Sequence, residues 1–270
     1  MAKSAKRADR QRPVALTIAG SDNSAGAGAQ ADLKTFTHFG CYGLTAITCV
    51  VAEVPGHVAS IQSVTPEIVA QQIALSLEAF PVAAVKTGML FSTPIIEVVA
   101  GMFAESKMPL VIDPVMVASS GDQLLKKSAV EAYRKLLFPY ATLVTPNLDE
   151  LKILARREVR NLAEMKDAGK ALVEEYGCAL LLKGGHLKGK VAVDILATAS
   201  EFTEYSAPMV PRVETHGTGC TYSAAITAHL AKGASLREAV GNAKVYITEA
   251  IGECLRWGGT FALEHNPSVK

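Results

Sequence analysis

The stretch VETHGTGCTYSAAI, residues 213–226, sets a cysteine directly behind Gly-Thr-Gly, where an apolar helical pattern begins. Gly217 and Gly219 let the backbone turn tightly and bare its N–H groups. Thr218 or Thr221 is placed to cap the helix, and Ala224, Ala225, Ile226, Ala228 and Leu230 continue it. Such a start aims several free N–H groups and a positive dipole end at one spot, an anion site with Cys220 inside it. A free cysteine is as readily a small buried hydrophobe on a core helix. On this stretch alone both readings stand.

Further candidates sit at the ends of apolar runs. VALTIA (14–19) reads as a strand and is followed by GSDNSAGAGAQAD; LTAITCVV (44–51) is a β-branched strand followed by AEVPGH. VAAVKTGM, PLVIDPV, ATLVTPN and CALLLKGG are the next strands, and behind them come KTGML, DPVMVASSGD, TPNLDE and KGGHLKG. These tips hold Asp22, Asp32, Glu53, Lys86, Asp113, Asn147, Asp149, Glu150 and Lys183. Turns favour Gly, Asn and Asp for backbone reasons alone, so the weight lies in their gathering on one sheet edge, where ligands bind in open α/β folds.

The segments between must carry that edge. AGAQADLKTFTHFG reads as a helix ending at Gly40, and TPEIVAQQIALSLEAF and TPIIEVVAGMFAES as helices opened by Thr-Pro. SAVEAYRKLLF, LDELKILA and LAEMKDAGKALVEEYG are further helices, VAVDILAT and EFTEYSA an antiparallel pair, and two helices close the chain, the second across roughly 235–257. Buried strands alternating with helices predict a mostly parallel central sheet with helices on both faces.

The chain has 270 residues, 49% of them hydrophobic and 20% charged, enough for one large core in one domain spanning 13–270. A net charge of +1 implies no nucleic-acid or membrane partner. Five cysteines with no C-x-x-C pair argue against a disulfide framework and a zinc site and fit a reducing, cytoplasmic setting. The start, MAKSAKRADRQR (1–12), lacks the apolar stretch of a secretory signal and reads as a disordered basic tail.

Among nucleotide chemistries, a Walker loop is absent. GAGAQA matches G-x-G-x-x-A, but Gly26 lies six residues beyond Gly20, too far from the strand for a dinucleotide fingerprint. There is no G-x-S-x-G elbow. An anion hole, strand-tip acids and Lys183 remain, and these are the parts phosphoryl transfer uses.

LTIAGSDNSAGAGAQADLKTF, VKTGML, VIDPVMVASSGDQLL, VTPNLDE, LLLKGGHL and THGTGCTYSAAI follow one another in an order that resembles the ribokinase-like superfamily, from Val14 to at least Tyr246. Within it the chain is similar to the hydroxymethylpyrimidine/phosphomethylpyrimidine kinases of thiamine synthesis. The resemblance implies a three-layer α/β/α sandwich, ATP as donor, Mg2+ with room for a monovalent cation, a small-molecule substrate and a homodimer. It implies Cys220 as base toward the hydroxymethyl group, with Gly217, Thr218 and Gly219 around the moving phosphoryl. A helix start lowers a thiol pKa, so a thiolate is expected there. Asp113 and Glu150 would lie near magnesium, Asn147 and Lys183 at the ATP phosphates, and Gly20, Asp32, Met89 and Val115 in the substrate pocket.

Two departures stand out. The family's SGGAG is SAGAG here, with Ala25, which matters if that position needs positive φ. The family's Gln in an Ala-Gln-Asn-Thr stretch is Glu53 in AEVP. Gln both donates and accepts toward an aminopyrimidine edge, whereas ionised Glu only accepts. A pyridoxine or pyridoxal kinase on the same scaffold is the alternative; a pyrimidine sensor would not need Cys220.

Overall fold

The structure, a computed structural model, describes residues 11–116, 127–185, 187, 189–210 and 216–268. Most of the expected tail, and residues 117–125 of the VIDPVMVASSGDQLL motif, lie outside them. One sheet runs through the molecule in the order β3-β2-β1-β4-β5-β6-β7-β8-β9. Its strands are β1 (Val14–Asp22), β2 (Tyr42–Val54), β3 (His57–Ser63), β4 (Val82–Thr87), β5 (Leu110–Ile112), β6 (Leu143–Val144), β7 (Ala179–Leu182), β8 (Val191–Ala197) and β9 (Phe202–Pro208). The middle, from β2 to β7, is parallel; β3 at one end and the β8–β9 pair at the other are antiparallel.

Helices cover both faces. α1 (Gly28–His38), α7 (Thr218–Ala231) and α8 (Leu236–Gly252) enclose one core, and α2 (Pro66–Ala79), α3 (Thr93–Phe103), α4 (Lys127–Ala132), α5 (Leu148–Ala155) and α6 (Leu162–Tyr176) the other. The expected three-layer sandwich is therefore present.

The side-chain period of two explains how this sheet makes a site. On the α1/α7/α8 face the buried residues Ala15, Ala84, Val111, Leu143 and Leu181 pack against helices. Two positions further along, on the same face, stand Thr17, Lys86, Asp113, Thr145 and Lys183. Each strand thus changes from apolar to polar or charged as it nears its carboxyl end. The connection from β1 runs to β2 on one side while β4 lies on its other side, so the strand order reverses at β1, where such sheets open a ligand crevice.

Several local expectations are corrected. β2 runs on to Val54 and turns back through Gly56 (φ +83) into β3, so Glu53 lies in a strand and not in a loop behind one. No alternation marked β3, because both its faces are largely exposed. Thr65 caps α2 as expected, its side chain accepting from the Ile68 N–H, but Ser92, not Thr93, precedes α3. The last helix stops at Gly252, and the residues expected to extend it form a hairpin of β10 (Leu255–Trp257) and β11 (Thr260–Ala262).

Candidate active site

A cavity of about 870 Å3 opens at the carboxyl ends of the parallel strands, the size of a small-molecule site. It brings together Gly20, Glu53, Met89, Asp113, Val115, Asn147, Glu150, Lys183, Gly217, Thr218, Gly219 and Cys220 from seven separate segments of chain. Asp32 is the exception among the expected residues: it is fully buried and does not line the wall. Its carboxylate accepts from Lys86 Nζ at 2.8 Å and Thr17 Oγ1 at 2.6 Å behind the cavity floor.

At the centre, α7 begins without a side-chain cap, so neither Thr218 nor Thr221 plays the expected part. Gly217 itself is the N-cap, at φ +81. A Cβ there would lie 1.9 Å from the Gly26 carbonyl oxygen, so only glycine lets this turn press against the loop after β1. The helix start is left open to the cavity. Cys220 is half-buried in its first turn, and the Gly28 N–H at the start of α1 is directed at its sulfur. Two helix N-termini therefore converge on this thiol. The preformed thiolate is nevertheless not what its protein surroundings favour. Burial pushes the thiol up to about 12, Asp113 and Asp32 add to the rise, and Lys86 and the Gly28 N–H oppose it.

Beside α7, Asp113 Oδ1 accepts from Lys183 Nζ at 3.0 Å and from Thr145 Oγ1 at 3.1 Å. A Cβ on Gly219 would lie 3.0 Å from Lys183 Nζ and 3.3 Å from Asp113 Oδ2, so this pair sits against the helix start. Burial would lower Lys183, yet Asp113 and Glu150 keep it above its ordinary value. Asn147 and Glu150 close a capping box on α5: Asn147 Oδ1 accepts from the Asp149 and Glu150 N–H groups, and Glu150 Oε2 accepts from the Asn147 N–H at 2.9 Å. Glu150 Oε1 takes the Met116 N–H at 3.0 Å. Burial raises Glu150 to about 7, Lys183 pulling it down and Asp113 pushing it up.

The other lobe holds Gly20, Met89, Glu53, the strand-tip candidate Asp22 and His216, which the sequence did not single out. Asp22 accepts from the Ser24 N–H at 2.7 Å and the Ala27 N–H at 2.8 Å, and lies 3.0 Å from His216 Nε2. Burial would raise Asp22, but these hydrogen bonds, with His216 foremost, hold it well below the usual carboxylate range. His216 also faces Glu53 at 3.9 Å. Burial and Asp22 raise Glu53, and the two carboxylates raise His216 against its own burial. The signal for His216 was its place directly before Gly217. At the opposite end, Val210, Ile247, Ile251 and Phe261 form an apolar wall drawn from the segment after β9, α8 and the β10–β11 hairpin. A helix face of that kind reads as core in a sequence, which is why it was missed.

Fold and site define an ATP-using small-molecule phosphotransferase of the ribokinase-like class. The phosphomethylpyrimidine kinase family matches residues 22–264. A hydroxymethylpyrimidine/phosphomethylpyrimidine kinase of Aquifex aeolicus is 38% identical over 91% of this chain and 96% of its own. A pyridoxine kinase of Bacillus subtilis is 42% identical over 88% of this chain and 90% of its own. The chain spans half the length of a bifunctional thiamine biosynthesis protein of Geobacter sulfurreducens that it matches at 42% identity. Among solved structures, an ADP complex of Bacillus subtilis pyridoxal kinase superposes with a TM-score of 0.88 at 37% identity, covering 95% of this chain and 98% of that one. A phosphomethylpyrimidine kinase of Clostridium difficile 630 superposes with 0.79 at 40% identity, covering 89% and 100%. The chain belongs to the phosphomethylpyrimidine kinase family.

Proposed function

We propose that the chain transfers the γ-phosphoryl group of ATP to the hydroxymethyl group of hydroxymethylpyrimidine, and then phosphorylates the resulting monophosphate. The observation that carries this reading is the meeting, in one cavity, of Cys220 at an uncapped helix start with the Asp113–Lys183–Glu150 cluster. The Gly217–Gly219 turn cradles the phosphoryl group through backbone N–H groups, and Lys183 and Asn147 face the ATP phosphates. The apolar wall of Val210, Ile247, Ile251 and Phe261 suits the adenine. Gly20, Met89 and Val115 enclose the substrate ring with Glu53 at its polar edge.

In the chemical step the substrate hydroxyl gives its proton to Cys220 Sγ, its oxygen bonds to the γ-phosphorus, and the bond to the β-phosphate oxygen breaks to release ADP. Cys220 must enter this step as thiolate; the two helix starts favour that form and burial opposes it. A loose transition state needs little basicity from it. Asp113 and Glu150 fit magnesium: both line the cavity and offer carboxylate oxygens, as a hard cation requires. The bound ion would neutralise the phosphates and these carboxylates. We place Asp32 with the substrate side only through the floor it supports.

The same scaffold admits pyridoxine, and Glu53 together with the Bacillus subtilis relative keeps that reading in view. ADP release with hydroxymethylpyrimidine, its monophosphate and pyridoxine decides. The expected result is the highest specificity constant for the pyrimidine; a higher one for pyridoxine reverses the assignment, and no ADP release with any of the three removes it. We further infer one kinase domain over 13–270 and a homodimer. The exposed Val50, Val54, Ile68 and Leu75 beside the open β3 edge support association there, and sedimentation of the full chain tests it.

A further inference from the structure

Lys86 is a lysine with no access to solvent, on a central strand of the sheet. It stands beside Thr17 in the β1–β4 register, and both side chains reach the same oxygen of Asp32 on α1. Asp32 Oδ1, equally buried, has no hydrogen-bond partner among the described residues. A buried ion pair of this kind gains little stability over apolar residues of the same volume, the less so with one oxygen left over. Its place explains it better. A Cβ on Gly88, which lines the cavity, would lie 3.3 Å from Lys86 Nζ, so the ammonium sits directly under the cavity floor. Asp32 lies one helical turn beyond Gly28, whose N–H is directed at Cys220 Sγ. The pair thus lies along α1 from the sulfur, with its positive end turned to the cavity.

We propose that Lys86 is a positioning residue for phosphoryl transfer: held under the floor by Asp32 and Thr17, its ammonium supplies the fixed positive charge that favours the thiolate of Cys220. This rests on the reading of Cys220 as acceptor base. Among the described residues, Asp32 on α1, Lys86 on β4, Asp113 behind β5 and Lys183 behind β7 are charged groups whose fields reach that thiol. Asp113 and Lys183 are engaged with each other at 3.0 Å and are assigned to the phosphate side. Lys86 is the charge that most favours the thiolate, and it keeps its own proton because Asp32, Cys220 and Asp113 outweigh its burial. Throughout the step Lys86 stays protonated; only the substrate proton moves, from oxygen to sulfur.

The test is the pH profile of iodoacetamide alkylation at Cys220, followed by mass spectrometry of its peptide in the full chain. Lys86→Met should shift the profile upward by about one pH unit or more and slow labelling at pH 8 by roughly tenfold. In the kinase assay kcat should fall while KM for ATP stays within about twofold. Lys86→Met/Asp32→Asn removes both charges and keeps the hydrogen bond from Thr17, so it folds even where the single variant does not. It should still shift the profile upward, by less, since Lys86 outweighs Asp32 at the sulfur. Lys244→Met breaks another buried pair of the cleft, to Asp194 at 2.7 Å, and should leave the profile where it was. A profile of either folded Lys86 variant superposing on that of the wild type overturns the proposal. So does an equal shift in Lys244→Met. Labelling uses neither ATP nor pyrimidine, so this outcome is separate from the question of which ring the pocket takes.

Discussion

At Glu53 a half-buried carboxyl meets the edge where an aminopyrimidine asks for a partner that both donates and accepts. Burial and Asp22 raise its pKa, and His216, 3.9 Å away, works the other way. The protonated form is a donor and is lost as pH rises through that raised value. Affinity for the pyrimidine should therefore fall with rising pH, while Glu53→Gln should flatten the dependence and keep pyrimidine binding. Specificity constants for pyrimidine and pyridoxine at several pH values measure this; an unchanged ratio in the variant would show that Glu53 does not touch the ring. At Cys220 the expectation is simpler. Cys220→Ala should fold and bind ATP but lose roughly 10²–10⁴-fold in turnover, the weight of a general base. Near-normal turnover would remove the thiol from the step. The sequence did show both residues, one by its place behind Gly-Thr-Gly and the other by its departure from the family. It did not show the thiol's high pKa, because burial is set by tertiary packing.

Elements were legible where local chemistry agreed with the fold. Thr65-Pro66 marks the start of α2 and the run LDELKILA marks α5, and both are seen. They were illegible where packing decided. β6 has only two residues, β3 is exposed on both faces, and the hairpin at Leu255–Ala262 follows a helix whose pattern gives no stop signal. The loop after β1 holds local strain of a kind the sequence flagged. Ala25 sits at φ +58, so the position that is glycine in the family does need positive φ. Ala25→Gly relieves that strain and loses part of the gain to unfolded-state freedom, so it should stabilise the fold by about 0.5–1 kcal/mol. Urea unfolding checks the sign, and a less stable variant would refute the argument. Gly217→Ala goes the other way. Its Cβ would meet the Gly26 carbonyl, so the turn must open and the anion cradle lose its shape; unfolding free energy and turnover should both drop.

Over the whole molecule, the sheet gathers charge at one edge, and stability must register it. Residue periodicity made the parallel sheet and its ligand edge readable, since each buried run was followed by Gly, Asp, Asn or Lys. The mutual distances of those groups were not readable, because residues as far apart as Asp113 and Lys183 meet only through strand order. That crowding has a measurable consequence at Glu150. Its pKa stands near 7 in the fold against an ordinary 4.5, chiefly through burial and Asp113. A carboxyl raised on folding contributes stability below its unfolded value, and the contribution is lost as pH rises through the folded value. His216, also raised, adds a change of the same sign through its loss of a proton. Without ligands the protein should therefore become less stable between pH 5 and 8, by up to about 3 kcal/mol for a group as buried as Glu150. Magnesium with ADP should oppose the loss, and more strongly at pH 8 than at pH 6, since the ionised carboxyl is the form that a cation favours. Glu150→Gln removes that titration while Gln can still serve at the third position of a capping box. Its melting temperature should depend less on pH, and magnesium should raise it less. A wild-type slope retained in Glu150→Gln would assign the pH dependence to other groups and leave Glu150 as a helix cap alone.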